Sequence, residues 1–382
     1  MAQPPAQPRP SSFFRQLSAP SQAALVTVTA ITILMVSSFS WFAARGGLTA
    51  PVVASGAVHT NQTSEEPGSA GTVLGATTAT PPTTTLVAVG DIMLSRVVEQ
   101  KIIKQHDWSY PFRTTRNLTS AGDITFGNLE SPLIAGPIVQ TGSMVFRADP
   151  RSAEGLRYGG FDVLSLANNH MKNKGTAGIQ QTIATLDQLK MFHVGAGATD
   201  VAARAPAIII RNGLKFGFLA YLDTSFTPAS YIATATLSGS PALDVTQMVR
   251  DVEALRKKVD VVIVSMHAGT EYAAKPNDRQ IRFAHAAIDH GARLVIGHHP
   301  HVVQPRERYR DGYILYSLGN FVFDQMWSEP TRQGAIATVT FTGTRVSAVS
   351  LSPVKIMNYA QPQPLTGAEG KAVLQRMVEF TF

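Results

Sequence analysis

The chain has 382 residues, a formal net charge of +7 and no cysteine. A chain of this length, with 44% hydrophobic residues, can bury a large core in one domain or two. The absence of cysteine excludes disulfides and thiolate-ligated zinc or iron–sulfur centres, so any metal site must use histidine, carboxylate or amide side chains. The sequence has no dense stripe of basic and aromatic residues, and we expect no nucleic-acid binding.

Residues 1–44 have the pattern of a cytoplasmic tail followed by a membrane anchor. Residues 23–44 form an uncharged, mostly apolar run, and ~20 such residues are needed to span a bilayer. Arg9 and Arg15 precede the run, which predicts that residues 1–22 are cytoplasmic and that the folded part is extracytoplasmic. A cleaved signal peptide is the alternative, but its apolar core is usually shorter and lies close to an A-x-A site. We therefore predict one uncleaved transmembrane helix at 23–44, anchored in the cytoplasmic membrane.

Residues 45–84 are rich in Thr, Ala, Gly, Ser and Pro and have almost no large apolar side chains. Such a segment cannot bury enough surface to fold, so it is predicted to be a flexible linker. We place the folded domain at 85–357 and a C-terminal tail at 358–382.

From Leu86 onward, short apolar runs alternate with amphipathic helical patterns. Strands are predicted at 85–90, 123–127, 161–167, 215–222, 259–266, 293–297 and 313–318, and residues 335–354 predict a β-hairpin. Helices are predicted around residues 179–189, 245–255 and 281–288. Strands that are apolar on both faces and alternate with helices predict an α/β layered fold with a mixed sheet.

Six predicted strands run directly into residues that can bind a metal ion or offer an amide group. In chain order these are Asp91, the segment 127–130 (GNLE), the segment 168–170 (NNH), His267, the histidines His298, His299 and His301, and the segment 319–321 (GNF). In open α/β sheets, ligands bind at the carboxyl ends of the strands. Histidine, carboxylate and amide donors together suit Zn, Mn or Fe, so the sequence predicts a metal site at this edge.

The segment 295–305, VIGHHPHVVQP, gathers three of the ten histidines of the chain. If the backbone stays extended after Gly297, His299 and His301 point to one side and His298 to the other. We therefore expect His299 and His301 to be ligands. Taken alone, Asp91 could equally be a turn residue or a helix N-cap, and Glu130 a surface charge. The recurrence of such residues at separate strand ends favours the metal site.

The chain contains, in this order, the segments GDIML, GNLES, LANNHMKNKG, HAGTEY, GHHPHVVQP and YSLGNFVFD. Over residues 86–357 it resembles the CapA-type capsule synthesis proteins, which look like members of the calcineurin-like metallophosphoesterase superfamily. The resemblance implies a two-sheet sandwich flanked by helices, with a metal site at the strand ends. It also implies a role in the synthesis or export of a poly-γ-glutamate capsule, together with other capsule proteins, and attachment to the membrane through one N-terminal helix.

The same resemblance implies roles for individual residues. Six residues would bind one or two divalent ions (Mn, Fe or Zn): Asp91, Glu130, Asn169, His267, His299 and His301. His170 would be the general acid for the leaving group in the hydrolysis of a phosphoester. Five further residues would contact the substrate or support the ligands: Asn128, Asn168, Glu271, His298 and Asn320.

Two residues depart from these patterns. Met93 stands where the superfamily has the histidine of Asp-x-His, and because methionine is a poor ligand for a hard divalent ion, we expect one ion to bind firmly and a second weakly. Asn173 stands where the capsule family usually has an aspartate. The change at Asn173 is either a loop substitution without consequence or a change at the site.

Two functions remain open on the sequence. The first is a membrane-anchored component of polyglutamate capsule synthesis or export that keeps a metal site, and Met93 favours it. The second is an active metal-dependent phosphoesterase that acts on an extracytoplasmic anionic substrate, and His170 beside Asn169 favours it.

Overall fold

The computed structural model describes residues 81–380. The predicted tail at 1–22, the predicted transmembrane helix at 23–44 and most of the predicted linker lie outside the described residues. Within residues 81–380, no helix combines the length and the apolar character that a membrane crossing requires.

The described part of the chain contains strands and helices that alternate through most of its length. The strands are β1 (Thr83–Ile92), β2 (Ile124–Leu129), β3 (Val163–Ser165), β4 (Phe192–Val194), β5 (Ala207–Arg211), β6 (Leu214–Leu222), β7 (Val261–His267), β8 (Ala292–His298), β9 (Arg306–Tyr309), β10 (Gly312–Leu315), β11 (Asn320–Val322), β12 (Gln333–Thr342), β13 (Arg345–Met357) and β14 (Gln361–Pro364). The helices are α1 (Arg96–Lys104), α2 (Arg116–Thr119), α3 (Ser152–Tyr158), α4 (Gly175–Gln188), α5 (Asp200–Ala203), α6 (Val245–Leu255), α7 (Asp278–Asp289), α8 (Glu329–Arg332) and α9 (Gly367–Arg376).

The strands form two mixed sheets. The first has eight strands in the order β14-β13-β12-β1-β2-β3-β4, with β11 paired to β1 in addition. Its members β1, β2, β3 and β4 are parallel, whereas β12, β13 and β14 are antiparallel. The second sheet has six strands in the order β5-β6-β7-β8-β10-β9, and its centre, from β6 to β10, is parallel.

A shared apolar core lies between the two sheets. It includes Leu86 and Phe126 of the first sheet and Phe218 and Ile263 of the second. The rings of Phe126 and Phe218 are stacked with centroids 5.8 Å apart. Because the strands are also covered on their outer faces by helices, most are buried on both sides, as their continuous apolar runs predict.

The local sequence explains how α7 is placed on the outer face of the second sheet. Asn277 accepts from the Gln280 amide, and the Gln280 side chain accepts from the Asn277 amide, which is a complete capping box. Phe283, Ala284 and Ile288 then recur at helical spacing and are buried in the cluster that includes Val295 of β8.

All the strands and helices predicted from hydrophobic periodicity are present, with ends shifted by a few residues. Five short strands were not predicted from the sequence: β4, β5, β9, β11 and β14. The segment 358–382, predicted as a C-terminal tail, contains strand β14 and helix α9. Strand β14 pairs with β13, and Val373 of α9 is fully buried in the core between the sheets. The sequence of β14, QPQP, has no apolar alternation, and its two prolines are tolerated because the strand lies at a sheet edge.

Two glycines allow close backbone approaches immediately before polar residues. A Cβ atom on Gly90 would lie 1.9 Å from the carbonyl oxygen of Gly319, and one on Gly297 would lie 2.0 Å from that of Tyr316. Any other residue at either position would force the backbones apart. At Gly90 the approach brings Asp91 level with Asn320, its register partner on β11.

Candidate metal centre

The carboxyl ends of β1, β2, β7 and β8 meet at one place, although these strands belong to two sheets. In the first sheet Asp91 pairs with Asn128, and in the second sheet His267 pairs with His298. The His299 amide donates to Oδ2 of Asp91 at 3.3 Å, and this bond joins the two edges. The site is therefore built at the end of the sandwich, where both sheets contribute side chains.

Two groups of three side chains have ligand atoms close enough to hold a cation. The atoms of each group all lie within 4.8 Å of one another, and the groups are Asp91 with Glu130 and His301, and Glu271 with His299 and His301. Beside them, Nε2 of His267 lies 3.0 Å from Oδ1 of Asn169. That is an ordinary hydrogen-bond distance, and it shows that the two side chains lie side by side. The structure thus brings the six predicted ligands to one end of the fold, and their role as ligands remains a prediction.

A chain of amide hydrogen bonds holds the two buried carboxylates. Asn168 Nδ2 donates to the Leu129 carbonyl at 2.8 Å and to Oδ1 of Asn128 at 3.1 Å. Since Oδ1 of Asn128 accepts this bond, its Nδ2 faces the site, where it donates to Asp91 at 2.8 Å and to Glu130 at 3.1 Å. Asn128 therefore orients the two carboxylates, and Asn168 orients Asn128.

The hydrogen bonds of Asn320 determine which ring nitrogen of His301 carries the proton. Asn320 Nδ2 donates to the Thr331 carbonyl at 2.9 Å and to Gln325 at 3.0 Å. Its Oδ1 therefore faces Nδ1 of His301, 2.9 Å away, and must accept a hydrogen bond from it. With the proton on Nδ1, the lone pair on Nε2 is free, and this nitrogen lies 3.7 Å from Oε1 of Glu130. An outer partner that fixes the tautomer in this way is typical of metal-binding histidines.

The two buried carboxylates have opposite pKa shifts. Burial alone would raise the pKa of Asp91, but the hydrogen bonds and charges of His298 and His301 outweigh it and hold this pKa well below the usual value. Burial, together with the charge and hydrogen bonding of Asp91, raises the pKa of Glu130 well above the usual value. Two carboxylates buried side by side repel one another, and a cation between them relieves that repulsion.

Two histidines of the site, His267 and His299, are held in the neutral form that metal binding requires. Burial, followed by the charges of His299 and other neighbours, lowers the pKa of His267 well below its usual value. Burial and the charge of His301 lower the pKa of His299 to about 3. At pH 7 both imidazoles therefore keep a lone pair available for a cation.

Buried polar atoms without a hydrogen-bond partner indicate whether a metal ion would fit this set of ligand atoms. Among residues 81–380, the buried side-chain atoms without a hydrogen-bond partner include Oε1 of Glu130, Nδ1 of His299 and Nε2 of His298. Buried polar atoms are nearly always satisfied, and a group of unsatisfied ones at one site indicates a missing ion or water. Carboxylate oxygen and neutral imidazole nitrogen are the donors that Zn, Mn and Fe accept, so the residues fit a first-row divalent ion.

The family model for the bacterial capsule synthesis protein PGA_cap matches residues 85–325. This chain belongs to that family. It is 32% identical over 302 residues to the capsule biosynthesis protein CapA of Bacillus anthracis, a match that covers 77% of this chain and 72% of the relative. It is also 32% identical over 280 residues to the PGA biosynthesis protein CapA of Bacillus subtilis (strain 168), with 72% of each chain covered.

The similarities to solved structures are more distant. A hypothetical protein of Thermus thermophilus has 16% sequence identity and a TM-score of 0.47, with 72% of this chain and 100% of that chain covered. The calcineurin-like phosphoesterase YfkN of Bacillus subtilis has 12% identity and a TM-score of 0.43, with 78% and 96% covered.

The backbone of the family's GHHPH segment does not follow the extended path that the sequence analysis assumed. Strand β8 ends at His298, and both His299 (φ 98°) and His301 (φ 57°) lie in the left-handed region. Nδ1 of His298 and Nδ1 of His301 each lie 3.3 Å from an oxygen of Asp91. The expectation that His298 points away from the other two is therefore wrong, since it lies against the same carboxylate as His301.

Asn173, at the position where the resemblance implies an aspartate, lies beside His170. Oδ1 of Asn173 accepts from the Phe146 amide at 2.6 Å, so the same oxygen also accepts from Nδ1 of His170, 2.9 Å away. Burial lowers the pKa of His170 to about 4, although the bond to Asn173 acts in the opposite direction. His170 is thus neutral at pH 7 with its proton on Nδ1, so the imidazolium form that a general acid requires is scarcely populated.

Two aromatic rings line the site, and neither was predicted from the sequence. The Phe146 ring stacks on His170 with centroids 3.9 Å apart, and the Phe226 ring stacks on His299 at 3.7 Å. Phe226 also lines an opening of about 280 Å³ together with Asn169, Glu271 and His299. Both phenylalanines come from loops distant in sequence from the histidines, and no local pattern marks them.

Met93 is fully buried in the apolar core, and its sulfur accepts from the Ser95 amide at 3.1 Å. Position 93 therefore supplies no nitrogen ligand for an ion bound at Asp91. The expectation of one firm and one weaker ion stays a prediction.

Replacing Asn320 by alanine should weaken the binding of divalent ions by about 10–100-fold, the usual cost of losing the partner that orients a histidine ligand. The reason is that His301 would lose the acceptor that fixes its proton on Nδ1. Calorimetric titration of the purified chain with Zn²⁺ or Mn²⁺ measures the change. Gln180→Ala, on the exposed face of α4, is the control, and equal affinities for the two variants would show that Asn320 does not support the site.

Proposed function

We propose that this chain acts in the synthesis or export of a polyglutamate-type anionic capsule polymer, at the outer face of the cytoplasmic membrane, with a divalent metal centre. The two relatives at 32% identity are named for capsule and PGA biosynthesis, which supports the polymer class. The observation that carries the metal centre is the convergence of Asp91, Glu130 and His301 within 4.8 Å.

The residues around the centre have distinct tasks in this proposal. Asp91, Glu130, Asn169, His267, His299 and His301 would hold one or two Mn, Fe or Zn ions. Asn128 and Asn320 keep a carboxylate and an imidazole in the orientation and protonation state that binding requires. A divalent ion in this donor set would polarise a carboxyl or phosphoryl oxygen and lower the pKa of a bound water.

A second candidate is an active phosphoesterase with an extracytoplasmic anionic substrate. It is favoured by His170, which follows the proposed ligand Asn169 directly and is held against the site by the stacked Phe146 ring. It is disfavoured by Asn173, because a neutral amide cannot stabilise the imidazolium form of His170 as the family's usual aspartate would. We therefore place polymer synthesis or export first.

The two candidates are separated by one pair of variants in the native host. Asp91→Asn removes a proposed metal ligand, and His170→Gln removes the proposed general acid but leaves the ligands. If the centre serves the polymer without acid catalysis, Asp91→Asn abolishes cell-associated anionic polymer and His170→Gln retains most of it. Loss of polymer in both, together with metal-dependent phosphodiesterase activity that only the wild-type chain shows, would favour the enzyme. Normal polymer levels with Asp91→Asn would exclude a capsule role for the metal centre.

We further propose that residues 23–44 anchor the chain and that the domain lies on the extracytoplasmic side. The uncharged run and the arginines that precede it support this orientation. A reporter that is active only in the cytoplasm, fused after Phe382, should stay inactive, whereas one that is active only outside should report. The reverse pattern would place the domain in the cytoplasm.

A further inference from the structure

The loop after β7 is fastened to the histidine loop after β8. The Ala268 amide donates to the His298 carbonyl at 3.1 Å, and the Tyr272 amide donates to the Pro300 carbonyl at 2.8 Å. Glu271 lies between these two attachment points. The bonds fix its backbone beside the histidines without any contribution from its own side chain.

The Glu271 side chain also lies close to the proposed ligand atoms of the histidines. One of its carboxylate oxygens lies within 4.8 Å of ring nitrogens of both His299 and His301. The His299 side chain is 2% exposed, and within the described range 81–380 its Nδ1 finds no hydrogen-bond partner. Glu271 and His299 also line the same opening of about 280 Å³, so a cation could reach both from solvent.

Both loops hold non-glycine residues in an unfavourable backbone conformation. Tyr272 (φ 64°), His299 (φ 98°) and His301 (φ 57°) all lie in the left-handed region. Such a residue is strained and persists where the surroundings fix it, most often at functional sites. The two loops are joined by hydrogen bonds and together contain three such residues. This indicates that the surrounding structure holds Glu271 and the histidines in their observed arrangement.

We propose that Glu271 is a direct ligand of a divalent ion, which it holds with His299 and His301 at the mouth of the centre. This inference rests on the proposed metal centre and gives Glu271 a closer role than the supporting one that the sequence resemblance implied. First-row divalent ions accept carboxylate oxygen as readily as imidazole nitrogen.

Tyr272 supports the carboxylate. Its phenol hydroxyl donates a hydrogen bond to the Glu271 carboxylate. A hydrogen-bonded carboxylate is oriented before the ion arrives. The three carboxylates Asp91, Glu130 and Glu271 would not neutralise two divalent ions completely. The loaded centre would therefore remain positive toward an anionic polymer or phosphoester.

The test is metal binding by the full-length chain, purified in detergent, with Co²⁺ and Zn²⁺ as probes. Calorimetry gives affinity and stoichiometry, and the visible absorption of bound Co²⁺ reports its donor set. Glu271→Gln should weaken binding at one ion position by at least about 10-fold and change the cobalt spectrum. Glu271→Asp, which keeps the charge with a shorter reach, should recover part of the affinity. Thr270→Ala, in the same loop, should leave affinity and spectrum unchanged.

The outcomes separate this proposal from the one on which it rests. If Glu271→Gln binds Co²⁺ with wild-type affinity, stoichiometry and spectrum, Glu271 is not a ligand although the centre stands. If Thr270→Ala alters binding as much as Glu271→Gln does, the effect belongs to the loop and not to the carboxylate. A wild-type chain that binds neither ion overturns the metal centre, and the role of Glu271 with it.

Discussion

Replacing Asp91 by alanine should lower the affinity for divalent ions by more than about 100-fold, beyond the 10–100-fold typical of losing an outer partner. Asp91 is fully buried at the end of β1, and its carboxylate contacts both His298 and His301. Its removal would take away a charged ligand and also the group that joins the two sheet edges through the His299 amide. Metal content after equilibrium dialysis against Zn²⁺ or Mn²⁺ measures the loss.

The control is Asp187→Ala, which removes a carboxylate that is 63% exposed on α4 and forms an ion pair with His193. It should bind metal as the wild-type chain does. Far-UV circular dichroism must show that both variants are folded, because a misfolded Asp91→Ala would lose metal for another reason. Asp91→Asn, which keeps the shape of the side chain, is a second variant for the same measurement of metal content. Wild-type metal content in a folded Asp91→Asn variant would show that the carboxylate is not a ligand.

Replacing Phe218 by alanine should destabilise the fold by about 3–5 kcal/mol, the usual cost of a Phe→Ala change in a core. Phe218 is 1% exposed, and its ring stacks on Phe126 of the opposite sheet at 5.8 Å. The substitution would open a cavity between the sheets, where the stacked pair would lose about 0.5–1.5 kcal/mol more. Urea denaturation of the full-length chain, followed by tryptophan fluorescence, gives the change in the free energy of unfolding.

Phe192→Ala is the matched control, because Phe192 is also in a strand but lies on the edge strand β4 and is 41% exposed. It should cost less than about 1 kcal/mol, since surface substitutions are usually small. Similar losses for the two variants would mean that the sheets do not pack through Phe218 as described. A large loss for Phe218→Ala with normal metal affinity at low urea would show that the centre tolerates a weakened core.

Much of the fold could be predicted from hydrophobic periodicity. Strands β1, β6, β7 and β8 are apolar runs buried on both faces, and the strongly periodic helices α6 and α7 were found at nearly their observed limits. The short strands β9 and β14 could not be predicted, because neither RERY nor QPQP contains a run of aliphatic residues. Their pairing depends on a neighbouring strand from another part of the chain.

The sequence by itself determined which residues could form a site. Polar residues that directly follow parallel strands must lie at the same sheet edge, because the strands share one direction. That rule alone brings Asp91 beside Asn128, and His267 beside His298. The rule holds whatever the loops do, since it depends only on register within each sheet.

Only the tertiary structure decided how the two edges meet and how the loops between them are bent. His299 and His301 have left-handed backbones, and side-chain alternation, which needs an extended chain, no longer applies to them. The contacts that impose this shape link residues far apart in sequence, such as Tyr272 with Pro300 and Asp91 with the His299 amide. The same holds for Asn173, whose contact with His170 depends on the distant Phe146 amide. A local pattern cannot encode these bonds, because their partners come together only when both sheets have packed on their common core.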